Sequence, residues 1–418
     1  MNQSLHQDPG SSSPLANVHS VLNIAVLASG LGFFIDAFDL FLFNVYRVPS
    51  LKELGLSGAA LTAASEQLLG LQMLGMMIGG ILSGVVGDKR GRVSVLFASI
   101  ALYSLANIAN AFVSDVQVYA IVRLLAGIGL AGELGAGITL VSETMSSERR
   151  GYGTILVASL GAAGAVSAGL VADIVPWRMA FGAAGVVGLG LLLLRMKSLE
   201  SGMFHRASQS SAALGSFATI FATGERTMRY IACILLGVPI WYSVGLLITF
   251  TPEITAVYGN NGTVLSTCFV LFQVGITLGD ISSGLLSQRL RSRSKALIAY
   301  MSFALVATIF HFVLITSGKN LHISSLLIGC GCGYLSVFVT TTAELFGTNI
   351  RVLVTSTVTN FMRGAVTILI PLRLWIQHTL GNTMVESLAI TGALVWLAAF
   401  AAVMYLPDPF GKDLNYSE

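Results

Sequence analysis

Twelve stretches of mostly apolar residues run along this chain, separated by short polar intervals. They lie roughly at 21–46, 63–87, 93–113, 117–143, 152–174, 178–197, 230–251, 264–288, 295–317, 321–346, 353–378 and 383–406. A helix needs about 20 apolar residues to cross the hydrocarbon core of a bilayer. Each stretch therefore predicts one membrane-spanning helix, numbered as spans 1 to 12. A single long polar interval, 198–229, follows the sixth stretch and divides the set into six and six. The expected organisation is a disordered tail at 1–20, a six-helix bundle at 21–197, a linker at 198–229, a second six-helix bundle at 230–406 and a tail at 407–418.

Composition points the same way. The 418 residues are 54% hydrophobic and 10% charged, against about 25% charged in a soluble domain, so the chain must expose apolar surface to lipid. Loops after even-numbered spans carry fifteen Lys and Arg residues, and loops after odd-numbered spans carry four. The basic side faces the cytoplasm, which places both termini there. The net charge of +3 gives no reason to expect nucleic acid. Cys233, Cys268, Cys330 and Cys332 sit in or beside apolar runs, so neither a disulfide framework nor a metal site is expected. No nucleophile–His–acid set and no phosphate loop stands out, so the chain does not read as an enzyme and no cofactor is implied. The polar N-terminus has no basic cluster and does not read as a signal peptide.

The halves repeat. "SGVVGDKRGRVSVLF" begins at Ser83 and "SGLLSQRLRSRSKAL" at Ser283, an offset of 200, each where the second span of its half enters a basic loop. Glu143 stands seven before Arg150, and Glu344 seven before Arg351, an offset of 201. Duplicated bundles around a midplane site are the architecture of alternating-access transporters.

Gly84, Gly87, Asp88, Arg90, Gly91 and Arg92 resemble the loop 2–3 signature of the major facilitator superfamily. Arg123, Gly127, Gly129, Gly132 and Glu133, followed by Glu143, Arg150 and Gly151, resemble the fourth-span and loop 4–5 patterns of its sugar-porter and metabolite–proton symporter branches, as does "ESGMF" at 200–204. "DAFD" at Asp36–Asp39 is similar to a first-span element of the aromatic-acid–proton symporters and to a like element in phosphate–proton symporters, with Ala37 where that element has Gly. The resemblance implies that spans 1, 4, 7 and 10 line a central cavity, that 2, 5, 8 and 11 support it, and that 3, 6, 9 and 12 lie outside.

The charges then sort by place. At the cytoplasmic side, Gly84, Asp88, Arg90, Gly91 and Arg92 form a candidate gate, joined by the pairs Glu143–Arg150 and Glu344–Arg351. In the second half Gln288 stands where Asp88 stands. A charge at mid-membrane costs roughly 2.5–3.5 kcal/mol on insertion scales, so charges within spans should face a cavity or a partner. These are Asp36, Asp39, Arg123, Glu133, Asp173, Asp280, Arg363 and Arg373. Asp36 and Asp39 are three apart and share a helix face; with Glu133 they are the candidate proton carriers. Arg363 can hold a carboxylate or phosphate bidentately. Asn360, Arg123, Trp241, Tyr242, Gln273 and Tyr334 complete the candidate substrate set, and His311 reads as packing.

The expected function is a proton-coupled symporter of a small polar metabolite, an organic anion or zwitterion such as an amino acid or carboxylate. It would work as a monomer in the bilayer of a bacterial inner membrane. A proton-driven exporter of a drug or siderophore, or a non-transporting membrane sensor, are the rival expectations.

Overall fold

A computed structural model describes residues 24–90, 92–132, 150–172, 174–199, 217–258, 263–347 and 350–411. The described helices group into twelve spans. Spans 1 to 6 are Ile24–Glu53, Gly58–Arg90, Arg92–Ala111, Val116–Leu130, Arg150–Val171 and Trp177–Leu199. Span 7 is an α-helix, Gly224–Tyr242, continued by a π-helical segment, Ser243–Ile248, and a short helix, Thr251–Tyr258. Spans 8 and 9 are Leu265–Leu290 and Arg293–Thr316; span 10 is His322–Cys332 with Leu335–Glu344; span 11 is Arg351–Gly364 with Val366–Leu380; span 12 is Met384–Tyr405. Nine described stretches are long and apolar enough to cross a membrane by length and composition, and Val116–Leu130 and Ser159–Val171 are shorter apolar pieces of spans 4 and 5.

Helix starts follow ordinary capping chemistry. Asp115 accepts from the backbone N–H groups of Gln117 and Val118 at span 4, and Ser292 from that of Lys295 at span 9. Thr383 and Glu386 form a reciprocal capping box at span 12. Span 7 begins at Gly224, six residues before the apolar run, because Thr223 caps a polar first turn holding Glu225.

The duplication is visible in the packing. A side chain at Gly75 would strike the backbone of Leu124 and Ile128 in span 4, and one at Gly275 would strike Leu326 and Cys330 in span 10. Only glycine allows backbones this close. The span 2–span 4 crossing of one half thus reappears as the span 8–span 10 crossing of the other.

Between the halves, span 2 packs along span 11. Thr367 Oγ1 donates to the Gly70 carbonyl at 3.0 Å, Gly364 lies against Met77, Gly80 against Asn360, and Gly84 against Leu353. Span 5 meets span 8 where Gly169 faces Val270. On the face of the odd-numbered loops, Glu53 accepts from Arg178 Nε at 2.9 Å and Trp177 Nε1 at 2.5 Å. Arg178 also donates to the Ala111 and Val113 carbonyls. These bonds tie the first three odd-numbered loops together.

Candidate functional site

Spans 1, 7, 8 and 11 meet in an aromatic cluster around one cation. Arg363 is 6% exposed, and its guanidinium carbon lies 5.5 Å from the centre of the Trp241 ring. Trp241 is parallel to Phe41 at 6.2 Å between centroids, and Phe41 meets Phe269 at 5.0 Å and 54°. Among the described residues no hydrogen-bond acceptor lies against the Arg363 Nε, and the one carboxylate whose charge it feels is Asp36. Gln273 follows Phe269 by one helical turn on the same face of span 8. It is 5% exposed, and its Nε2 has no hydrogen-bond partner among the described residues. The cluster therefore offers flat apolar walls, a planar cation and a spare amide donor. A guanidinium over a ring is held by cation–π attraction while its N–H fork stays available.

Span 7 owes this geometry to its backbone. Pro239 lies inside the helix, and the segment that follows relaxes into a π turn in which Thr249 N–H donates to the Val244 carbonyl at 3.1 Å. π turns are rare and concentrate at functional sites. Successive side chains on the helix diverge by about 100°. Trp241 faces spans 1 and 11, and Tyr242 faces span 12.

The two aspartates of span 1 have different surroundings. Asp39 accepts from Asn107 Nδ2 of span 3, and Asn107 Oδ1 in turn accepts from Arg123 Nη2 at 3.0 Å. Arg123 is fully buried, with Phe181, Phe43 and Tyr119 at 4.8, 5.6 and 6.0 Å from its guanidinium carbon. It lies inside the first bundle rather than beside Trp241. Asp36 is the span 1 carboxylate whose charge reaches Arg363.

Other residues singled out in the sequence hold the scaffold. The Tyr242 hydroxyl donates to the Leu388 carbonyl at 2.7 Å, and that of Tyr334 to the Leu236 carbonyl at 3.1 Å. Asn360 Nδ2 donates to the Ala131 carbonyl of span 4 and to Ser356 O, both at 3.1 Å. Its amide bridges the halves where Gly80 lets span 11 come close. Asp280 accepts from Ser336 N–H at 2.6 Å and Ser336 Oγ at 2.5 Å. Span 10, read as continuous, is broken at Gly333–Tyr334, and Asp280 caps its second piece. His311 Nδ1 is 2.8 Å from Ser324 Oγ, which packs span 9 on span 10.

On the side of the even-numbered loops, Glu344 pairs in a fork with Arg293, at 2.9 and 3.1 Å. Arg351, the partner expected from spacing, donates to the Ala343 and Phe346 carbonyls at 2.8 and 3.2 Å and so closes the end of span 10. Arg293 N–H also reaches Asp408, and its guanidinium lies over Phe410. Gly84 meets Leu353. Gly91, Glu133, Glu143, Asp173 and 200–204, and the side chains of Asp88, Arg90, Arg92 and Arg150, lie outside the described residues.

Two ion pairs escaped the sequence reading. Arg47, one of the four basic residues that the sequence places in loops after odd-numbered spans, is fully buried and forks onto Glu253 at 2.5 and 3.0 Å, with a third bond to the Thr249 carbonyl at 2.5 Å. Arg373 pairs with Glu66. The signal for Glu66 was present, since a lone acid in an apolar run is the cue that marked Asp36. Glu66 lies near a span end, where charge is unremarked.

The model of the Major Facilitator Superfamily matches residues 29–371. A probable 4-methylmuconolactone transporter of Cupriavidus pinatubonensis is 27% identical over 331 residues, 77% of this chain and 76% of its own length. A 3-(3-hydroxy-phenyl)propionate transporter of Escherichia coli is 29% identical over 234 residues, 54% of this chain and 57% of its own. The crystal structure of a D-xylose-proton symporter superposes with a TM-score of 0.68 at 15% identity, covering 95% of this chain and all of that one.

Proposed function

Because the chain belongs to the Major Facilitator Superfamily, and is thus an integral, multi-pass transport protein rather than an enzyme, we propose that it carries a small aromatic carboxylate into the cell together with a proton. The observation that carries this reading is Arg363. Its Nε is buried with no acceptor among the described residues, no ion pair joins it to an acid there, and such a donor is unfavourable unless an anion completes it. The walls around it, Trp241, Phe41 and Phe269, suit a flat ring attached to that anion. Gln273 supplies a donor for an acceptor elsewhere on the ring. The names of the two relatives above support a substrate of this size and character.

The transport cycle is alternating access. Residues 1–197 rock against 230–406 about the Arg363 cluster, with both termini in the cytoplasm. Asp36 is the coupling acid, because its charge and that of Arg363 act on each other. When the substrate carboxylate occupies Arg363, Asp36 loses its cation and takes a proton. When the substrate leaves, Asp36 releases the proton and reclaims Arg363. Asp39 is anchored through Asn107 to Arg123 and holds span 1 in place.

Purified protein in proteoliposomes tests this reading. An inside-alkaline gradient should drive accumulation of benzoate-type acids and leave neutral sugars outside. Asp36→Asn should abolish the accumulation and spare substrate exchange. Gradient-driven accumulation by Asp36→Asn equal to the parent's would refute the coupling role, and uptake of neutral sugars alone would refute the anion site.

A further inference from the structure

On the face of the odd-numbered loops four charges are buried together, away from the Arg363 cluster. Arg47 on span 1 and Glu66 on span 2 come from one half, and Glu253 on span 7 and Arg373 on span 11 from the other. Their side chains are 0%, 6%, 9% and 4% exposed. The ion pairs cross between the halves: Arg47 with Glu253, and Arg373 with Glu66. Glu66 is also near enough to Arg47 and to Glu253 to feel both charges. Each half thus brings one acid and one base, and is neutral by itself.

A gate with an acid on one half and a base on the other leaves two stranded charges whenever it opens. A buried ion that loses its partner is strongly destabilised. This quartet has a way round that. When the halves part, Arg47 can turn to Glu66 on the neighbouring span, whose carboxyl already feels its charge, and Arg373 to Glu253 of its own half. We propose that the quartet exchanges partners during transport: Arg47–Glu253 and Arg373–Glu66 while this face is closed, Arg47–Glu66 and Arg373–Glu253 while it is open. Both states then hold two ion pairs. Their free energies stay close, as a protein that must populate both requires. The proposal rests on the alternating-access reading above.

The test separates exchange from a plain latch. Arg47→Gln combined with Glu253→Gln removes one pair from the closed state and both from the open state. Partner exchange predicts a fall in the open fraction by roughly tenfold, whereas a latch predicts a rise. Spin labels at Ser57→Cys and His378→Cys, both exposed on this face, report the opening as a distance in nanodiscs. Charge inversion of one pair, Arg47→Glu with Glu253→Arg, keeps the closed contacts and sets like charges together within each half on opening. It should shift the distances the same way even if the neutral variant folds poorly. Inverting all four residues should restore the parent distribution. An open fraction that is unchanged or raised in either double variant overturns the exchange. A parent with one distance under every gradient and substrate condition defeats the alternating-access reading, and the exchange with it.

Discussion

The Arg363 guanidinium carbon stands 5.5 Å from the centre of the Trp241 ring. One residue comes from span 11 and the other from span 7, and the contact makes a single surface of a cation and an aromatic plane. Arg363→Gln should weaken binding of aromatic carboxylates by about 1.5–3 kcal/mol, the size of a hydrogen bond to a charged group. Arg363→Lys keeps the charge but loses the planar fork and should fall between the two. Calorimetric titration with benzoate and with an uncharged benzamide checks this, since the amide should not distinguish the variants.

Arg123, Asn107 and Asp39 form one buried chain. Arg123→Gln alone breaks the bond to Asn107 and removes the cation nearest the Asp39 carboxyl, a loss of about 1–3 kcal/mol. Adding Asp39→Asn removes the stranded charge, so the double variant should be more stable than Arg123→Gln. A double-mutant cycle of melting temperatures should give a coupling of about 0.5–3 kcal/mol.

Tyr242 and Tyr334 spend their hydroxyls on the Leu388 and Leu236 carbonyls. Tyr242→Phe and Tyr334→Phe should each cost about 1 kcal/mol of stability. The KM for substrate should change by less than about twofold, since neither hydroxyl touches the site. Melting curves and uptake kinetics on the same preparations separate the two effects.

A methyl group at Gly80 would sit 2.8 Å from the Asn360 Cβ. Gly80→Val should push span 11 off span 2 and break the Asn360–Ala131 bridge. Insertion into the membrane should survive, because the helix surface facing lipid is unchanged, while uptake falls more than about tenfold, the equivalent of 1.4 kcal/mol. Fluorescence-detected size exclusion and uptake assays distinguish loss of protein from loss of movement.

Hydrogen bonds from Arg178 and then Trp177 hold the Glu53 carboxyl below the usual glutamate range. A folded-state value below the unfolded one adds stability that is present above the unfolded value, 4.5, and is lost as pH falls through the folded value. Parent and Glu53→Gln should therefore differ most in melting temperature near neutral pH, and should converge as the buffer is taken well below pH 4.5. A gap that persists into acid would mean that the contact is steric rather than ionic.

Sequence alone determined the number of spans, the six-plus-six duplication and the charges deep within the apolar runs, Asp36 and Arg363 among them. Lipid imposes those features on each segment separately: a spanning helix must be apolar for about 20 residues, and a charge within it stands out. The offset of 200 between Ser83 and Ser283 likewise needs no coordinates. Pairing was decided only in three dimensions. Asp39 and Asn107 are 68 residues apart, Arg47 and Glu253 are 206 apart, and Glu66 and Arg373 are 307 apart. The spacing that matches Glu344 with Arg351 is local, and it gives no sign of Arg293, 51 residues away, which forks onto Glu344. Chain distance does not set which helix faces turn towards each other; close approach does, of backbone at Gly75 and Gly275 and of the Asn360 side chain at Gly80. Once the helices are packed, burial leaves each charge only the partners within a few ångströms. That is why Arg123 bonds to Asn107 inside the first bundle while Arg363 lies over Trp241.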